Sequence, residues 1–207
     1  ALRFGDGLTS GERAALLEGR SRACYLADDQ VEAIAVISEA VECRKAEQAP
    51  AHQARALAEL SSYLLCRGRY SESRAAVAEA MQLVAGLPES AEVAVVLNAQ
   101  AELSWDDRTR QLELARATVA VAERCGAGGV EADARITLGE AEMALCFEVG
   151  RETLERVVAE CRAAGRLEHV ARALSALGHL SSRAERPDEA AAYLRAALEH
   201  CEEHTLD

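Results

Sequence analysis

The chain has 207 residues, half of them apolar and only 3% aromatic, with 3 prolines and a formal charge of −12 from 23 Lys and Arg against 35 Asp and Glu. That apolar fraction supports a substantial core, the abundance of Ala, Leu, Glu and Arg predicts helices, and the few aromatics argue against a large aromatic-lined pocket. The acidic balance, with no run of Lys or Arg, argues against direct nucleic-acid contact and against anionic membranes, and no apolar stretch approaches the ~20 residues of a membrane span.

The first 20 residues, ALRFGDGLTSGERAALLEGR, do not form a secretion signal. Seven cysteines, an odd number with no C-x-x-C pair, predict reduced thiols in a cytoplasm rather than a disulfide framework.

In chain order, TSGE from Thr9 to Glu12 is a capping-box pattern that opens a first helix, with Leu17 and Ser21 on its apolar face. DQVE, Asp29 to Glu32, repeats the pattern and opens a second helix carrying Ala33, Ile37 and Ala40. The stretch 54–83 has the same layout: Leu57, Leu60 and Ser61, then GRY, then Ser73, Val77 and Ala80. AGLPES at 85–90 is a break where Gly and Pro end a helix. A looser copy follows, with Ala101, then Ala115, Val119 and Ala122, before a second break, CGAGGVE, at 125–131. The fourth copy places Leu138 and Gly139, then Gly150, Leu154 and Val157. In the fifth, ARALSALGHLSSRAERPDEAAAYLRAALEHCEE at 171–203, an apolar helix ends near Arg183 and Pro187 begins the next. Ala190, Leu194, Ala197 and Leu198 would share one face of that last helix.

Two markers recur independently. A small residue in each first helix falls at Ser21, Ser61, Ala101, Gly139 and Gly178, at intervals of 40, 40, 38 and 39. The opening of each second helix recurs at Ala33, Ser73, Ala115, Gly150 and Ala190. Small residues belong where two helices approach closely. An amphipathic helix pair cannot bury its face alone, so stacking the pairs would make a continuous core. The expectation is an all-α single helical-repeat domain over 1–207, with repeats at about 10–46, 51–86, 90–126, 129–165 and 168–204.

A small residue after a leucine, followed by G/D-x-x-E-A at the next helix, resembles the tetratricopeptide repeat, most strongly in ALSALGHL…RPDEAAAYLRAALE. Tetratricopeptide hairpins usually take ~34 residues, and the period near forty departs from that. It is more similar to the middle region of large LuxR-type ATPase regulators, which join a nucleotide-binding module, a tetratricopeptide-like region and a helix-turn-helix. RFGDGLTSGERAALLEGRSRACYLADDQVEAI at the start and AYLRAALEHCEEHTLD at the end resemble actinobacterial members of that group. The resemblance implies a right-handed superhelix of about five antiparallel helix pairs. It also implies a non-catalytic sensor, without cofactor, that binds a protein, a peptide or a small polar effector in its concave groove. The chain has no G-x-x-x-x-G-K-[S/T] loop, so ATP hydrolysis and DNA binding would belong to a longer parent protein of which this chain is a portion. Exposed repeat ends would permit self-association. The alternative is a stand-alone scaffold for a peptide or protein partner.

First helices line the groove in such arrays. By that register Arg22, Tyr25, Arg55, Ser62, Asn98, Glu102, Trp105, Asp133, Glu140, Arg172, His179 and Arg183 would face the groove or its edge. For any one of them an ordinary solvated face is the simpler explanation. Trp105, the only Trp, reads either as a core plug or as a binding anchor. Where a co-chaperone clamp would set Lys and Asn, the chain has Glu18 and Arg22, so that function is disfavoured.

Two motifs suggest metal chemistry. His200, Glu203 and His204 fit H-x-x-E-H, and two histidines four apart on a helix can share a zinc ion. The downstream ligand that this peptidase class needs is not in the chain. Cys201 also has a structural address, because Cys43, Cys125, Cys161 and Cys201 all fall in the last turn of a second helix. DDQVE at 28–32 has the form of a magnesium-binding D-D-x-x-E box, but Asp29 as a helix cap explains it. No catalytic residue and no metal ligand is predicted.

Overall fold

The computed structural model describes residues 7–204. The stretches 1–6 and 205–207, which enter the resemblance at either end, lie outside the described residues. The described residues form ten helices and no strand: α1 (Ser10–Leu26), α2 (Gln30–Ala46), α3 (Pro50–Cys66), α4 (Tyr70–Val84), α5 (Ala91–Glu102), α6 (Arg108–Arg124), α7 (Gly128–Leu145), α8 (Phe147–Ala163), α9 (Leu167–Arg183) and α10 (Pro187–His204). The all-α expectation holds. Among the described residues no helix is long and apolar enough to cross a membrane.

The chain divides after Ala99 into two compact units. In the first, α1 to α4 pack each against the next. In the second, α6 to α10 do the same, and α7 also touches α9. First helices of successive repeats are therefore in direct contact there.

Helix starts follow the local chemistry. Thr9 Oγ1 accepts from the Glu12 amide at 3.2 Å and Glu12 returns a bond to the Thr9 amide at 2.9 Å, which completes the capping box. Asp29 caps α2 by accepting from the Glu32 amide. There the box is half made, because the Glu32 carboxylate pairs with Arg20 instead. Pro187 occupies the first position of α10, where a missing amide proton costs nothing.

Six of the helix-to-helix links share one backbone solution despite different residues. Amides of Asp29, Ala49, Arg69, Ala127, Arg166 and Arg186 donate to carbonyls five residues back, at Cys24, Arg44, Leu64, Ala122, Cys161 and Ser181, over 2.9–3.3 Å. The preceding residue takes left-handed φ. It is Gly68, Gly126 or Gly165 after α3, α6 and α8, but Asp28 (55°), Gln48 (60°) and Glu185 (58°) after α1, α2 and α9. This 6→1 bond satisfies the last carbonyls of each helix and reverses the chain in three residues.

Apolar residues at helical spacing build the core. Val170, Ala173, Leu174, Leu177 and Gly178 of α9 are buried together. They pack with Ile136 and Met143 of α7, Leu154, Val157, Val158 and Cys161 of α8, and Ala197 of α10. Burying a leucine or valine of this kind contributes about 1.5–3 kcal/mol.

The small-residue markers mark close crossings. Ser21, Ser61, Ala101, Gly139 and Gly178 are all buried, as are Ala33, Ser73, Ala115, Gly150 and Ala190. A Cβ on Gly150 would lie 2.0 Å from the Met143 amide nitrogen and 2.5 Å from the Gly139 carbonyl oxygen. No residue with a side chain fits there unless the backbone moves. At the equivalent crossing of α3 and α4, serines meet instead. Ser73 Oγ donates to the Ser61 carbonyl at 2.9 Å, and the two hydroxyls lie 2.8 Å apart.

The apolar stripe of α10 differs from the expectation. Ala190 and Ala197 are buried, but Leu194 is 43% and Leu198 65% exposed. Leu194 packs by its side against Gly178, and Leu198 lies outside the narrow face that α9 covers.

Candidate functional site

The expected binding residues fall in both units, and each unit brings its own share together differently. In the first, Arg22 and Tyr25 lie on α1, and Arg55 and Ser62 on α3. Arg22 reaches Glu59 of α3 at 3.5 Å. The Tyr25 ring stacks on Tyr63 of α3, with centroids 4.5 Å apart and planes 16° from parallel. Tyr63 Oη donates to the Glu59 carboxylate at 3.0 Å, while Tyr25 Oη sits 3.3 Å from Cys66 Sγ. Burial first, and then the Glu59 charge, pushes the Tyr63 hydroxyl well above the ordinary phenol range. The phenol therefore stays neutral and serves as a donor. Ser62 turns inward and donates to the Ala58 carbonyl.

Arg55 acts at a distance. Burial favours the neutral form of Glu92 on α5, but its own amide, the Ser90 hydroxyl and the charges of His52 and Arg55 outweigh that, so its carboxyl sits below the usual range. Asn98 is buried at 7% exposure.

In the second unit the charged set is tighter. Arg172 of α9 pairs with Asp133 of α7 and lies 3.5 Å from Glu102 at the end of α5. His169, one turn before Arg172, places Nε2 3.3 Å from the same Asp133 carboxylate and 3.2 Å from the Gly129 carbonyl. Glu140, two turns beyond Asp133 on α7, faces Glu102, Arg172 and Arg108, the first residue of α6. Glu140 is half-buried, and among the described residues it has no hydrogen-bond or ion-pair partner. Burial and then the neighbouring Glu102 charge raise its carboxyl to about 7, against the opposing pull of Arg172 and Arg108. The arrangement contains three carboxyls, and the Arg172 guanidinium bonds to two of them, Asp133 and Glu102.

The structure does not join every expected residue to these sets. His179 and Arg183 are exposed on the last turns of α9. Trp105 is 46% exposed, which removes the core-plug reading. α5 stops at Glu102, and in the link that follows Leu103 takes the buried position at 7% exposure. The tryptophan is left on the link's outer side.

Glu59, Tyr63, Arg108 and His169 were not among the expected residues. The repeat holds a signal for most of them. Partners on successive first helices lie one period apart, as in Asp133 with Arg172 (39 residues) and Gly129 with His169 (40 residues). Partners on adjacent antiparallel helices lie 12 or about 26 apart: Arg20–Glu32 and Ser61–Ser73, then Glu18–Arg44 and Gln53–Glu79. Opposite charges at those offsets can be searched for in the sequence.

The metal motifs have other occupations. His200 is buried and donates Nε2–H to the Leu167 carbonyl at 3.0 Å, and its ring meets that of His204 edge-on, with centroids 4.6 Å apart. These histidines help line a concavity of about 470 Å³ with Arg162, Leu167, Ala196, Glu199 and Glu203. Among the described residues no three His, Cys, Asp or Glu side chains are placed to share a metal ion. In the other motif, Asp29 caps its helix, Asp28 accepts from Gln30 and Glu32 pairs with Arg20.

No protein-family model matches the sequence, and a search of curated proteins finds no similar sequence. Solved structures do match. A Rap protein complexed with competence and sporulation factor aligns with 98% of this chain at a TM-score of 0.77 and 13% identity. This chain spans 57% of that protein's length. Nearly identical TPR-like repeats from Podosopora anserina, described as kinesin light chain, align with 97% of this chain and 99% of their own at a TM-score of 0.57 and 15% identity. BtubC (BKLC) from P. vanneervenii aligns with 96% of this chain and 93% of its own at 0.58 and 16%. At such identities the likeness shows the fold: this is a TPR-like, all-helical repeat protein.

Proposed function

We propose that this chain is the non-catalytic sensor or interaction region of a LuxR-type transcriptional regulator of the actinobacterial kind. It would work in the cytoplasm as one helical-repeat domain, with no cofactor. A protein, a peptide or a small polar effector binds the polar faces of its first helices, drawing on the set from Arg22 to Arg183. Binding then biases the ATPase and helix-turn-helix modules of the same protein. The observation that carries this reading is the fold shared with a Rap protein solved in complex with competence and sporulation factor, over 98% of the present chain. The paired Tyr25 and Tyr63 rings and the Asp133–Arg172–Glu102 set supply aromatic and charged contacts of the kind such ligands need.

Relaying a signal requires different affinities for two states of the regulator. The test is to remove residues 10–204 from the full-length regulator and measure ATP turnover and DNA binding with and without cell extract. Effector-dependent change that disappears with the deletion is expected. Identical turnover and DNA binding in both proteins would defeat the reading.

A stand-alone scaffold is the second reading. It is favoured by the end-to-end match to repeat chains of the same length, 99% and 93% of which are covered. The open reading frame separates the two. A phosphate-binding loop upstream and a helix-turn-helix downstream support the regulator, and stop codons close to both ends support the scaffold.

A further inference from the structure

The concavity of about 470 Å³ at the carboxyl ends of α8 and α10 has the size usual for small-molecule sites, about 300–1,000 Å³. Its wall includes a polar group that the repeat does not call for. His200 is 6% exposed, whereas Glu160, one period earlier on α8, is exposed and pairs with Arg135. The His200 ring donates Nε2–H to the Leu167 carbonyl at 3.0 Å, so in the neutral ring Nδ1 is an acceptor. Nδ1 has no hydrogen bond among the described residues. The buried side-chain atoms left without a partner there are Arg135 Nε and Ser181 Oγ, so Nδ1 is instead open to solvent. Three charged side chains share the wall with it: Arg162 in the last turn of α8, and Glu199 and Glu203 of α10. None of the three makes an ion pair or a side-chain hydrogen bond among the described residues. Leu167 and Ala196 add apolar surface. One concavity therefore gathers an unbonded cation, two unbonded carboxylates and a free imidazole acceptor.

We propose that this concavity is a site for a small zwitterion of the α-amino acid kind, its carboxylate on Arg162 and its ammonium on the Glu199 and Glu203 carboxylates and the His200 Nδ1. A zwitterion is the one simple ligand that answers every open group. Its carboxylate offers Arg162 two acceptors, and its ammonium offers three charged donors to the acceptors on α10. A simple anion would meet two carboxylates, and a simple cation would leave Arg162 unpaired and add to its charge. A metal ion has the same fault, and no three of the His, Cys, Asp or Glu side chains among the described residues converge on one point. An apolar side chain on the ligand has Leu167 and Ala196 to lie against. The bound molecule would join the last turn of α8 to that of α10, beside the His200–Leu167 bond that already ties α10 to the start of α9. The site uses none of the first-helix residues assigned to the partner above, so it stands or falls apart from that reading.

The test uses the whole chain labelled with carbon-13 in its histidine rings, with the His200 and His204 signals assigned from single His→Gln variants. The probe is L-leucine at up to about 50 mM, well above the millimolar dissociation constant expected of a few charge-assisted contacts. The controls are L-leucinamide, which lacks the carboxylate, and N-acetyl-L-leucine, which lacks the ammonium. Leucine should move the His200 and His204 signals saturably, and each control should bind at least about tenfold more weakly. Arg162→Gln should weaken leucine about tenfold and leave leucinamide unchanged. The double variant Glu199→Gln, Glu203→Gln should weaken leucine about as much and leave N-acetyl-L-leucine unchanged. Unaltered helical circular dichroism shows that each variant is folded. Three results would overturn the proposal: no saturable shift with leucine, controls that bind as well as leucine does, or variants that weaken all three compounds alike, which would show a loss of shape rather than of a charge contact.

Discussion

The two units solve the same packing problem with different chemistry. At the α3–α4 crossing two serines meet and satisfy each other, one hydroxyl donating to the Ser61 carbonyl and the other held 2.8 Å away. At the α7–α8 crossing no hydroxyl pair takes that place, and Gly150 lets the Met143 and Gly139 backbones approach. The same contrast runs through the charges. Arg44 in the first unit is bound on both sides, by both oxygens of Glu18 at 2.8 and 2.9 Å and by Glu47 at 2.9 Å. In the second unit Glu140 has no partner, and the Ser181 hydroxyl is buried without a hydrogen bond among the described residues. A region that closes its polar groups on one another spends them on stability. A region that leaves one open keeps it for something else or carries the cost.

That contrast predicts a ranked set of outcomes in urea denaturation. The largest belongs to Gly150→Ala, whose Cβ meets backbone rather than a movable side chain. A loss of about 3 kcal/mol or more is expected in the second unit, and a loss below about 1 kcal/mol would mean the crossing relaxes freely. Gly178→Ala, whose Cβ meets the Leu194 side chain at 2.6 Å and backbone no closer than the Leu194 nitrogen at 3.3 Å, should cost clearly less. Next comes Arg44→Ala. It strands Glu18 and Glu47 around a guanidinium side chain that is only 11% exposed, and about 2–3 kcal/mol should go.

The third outcome has the opposite sign. The folded-state carboxyl of Glu140 is raised from 4.5 to about 7, so the folded state binds the proton more tightly than the unfolded one. Its contribution is therefore most favourable at pH 4, declines as the pH rises between 4.5 and 7, and stays unfavourable above. Glu140→Gln should stabilise the chain at pH 8 by about 1–2 kcal/mol, allowing for the solvent that still reaches the group. At pH 4 it should change little. Equal effects at both pH values would show that the carboxyl is not the cause. The smallest is a paired comparison. Ser73→Ala, which breaks a satisfied pair, should cost about 1 kcal/mol, and Ser181→Ala, which removes an orphaned hydroxyl, should be neutral or gain up to about 1 kcal/mol.

Much of this is legible in the order of residues alone. The small residues from Ser21 to Gly178 were located because a close crossing tolerates only a few side chains, so that constraint is written in residue identity. Thr9, Asp29 and Pro187 were legible because a cap is a bond between neighbours in the chain. The partners were less so. Ser62 was expected on the binding face, but Ser62 bonds its own helix and Tyr63 faces Tyr25. A shift of one residue turns a side chain by about 100°, and periodicity alone does not resolve that angle. Trp105 was open between core and surface because its burial depends on where α5 stops.

The helical class, the period near forty, the caps and the crossings are all written in the chain, because spacing and the size of single residues set them. The tertiary structure decided what no single helix contains. It placed Tyr25 on Tyr63 and committed Arg172 to Asp133 and Glu102. It gave His200 to the Leu167 carbonyl rather than to a shared metal. Charge complementarity is a property of distances between helices, and those distances exist only after the helices have packed.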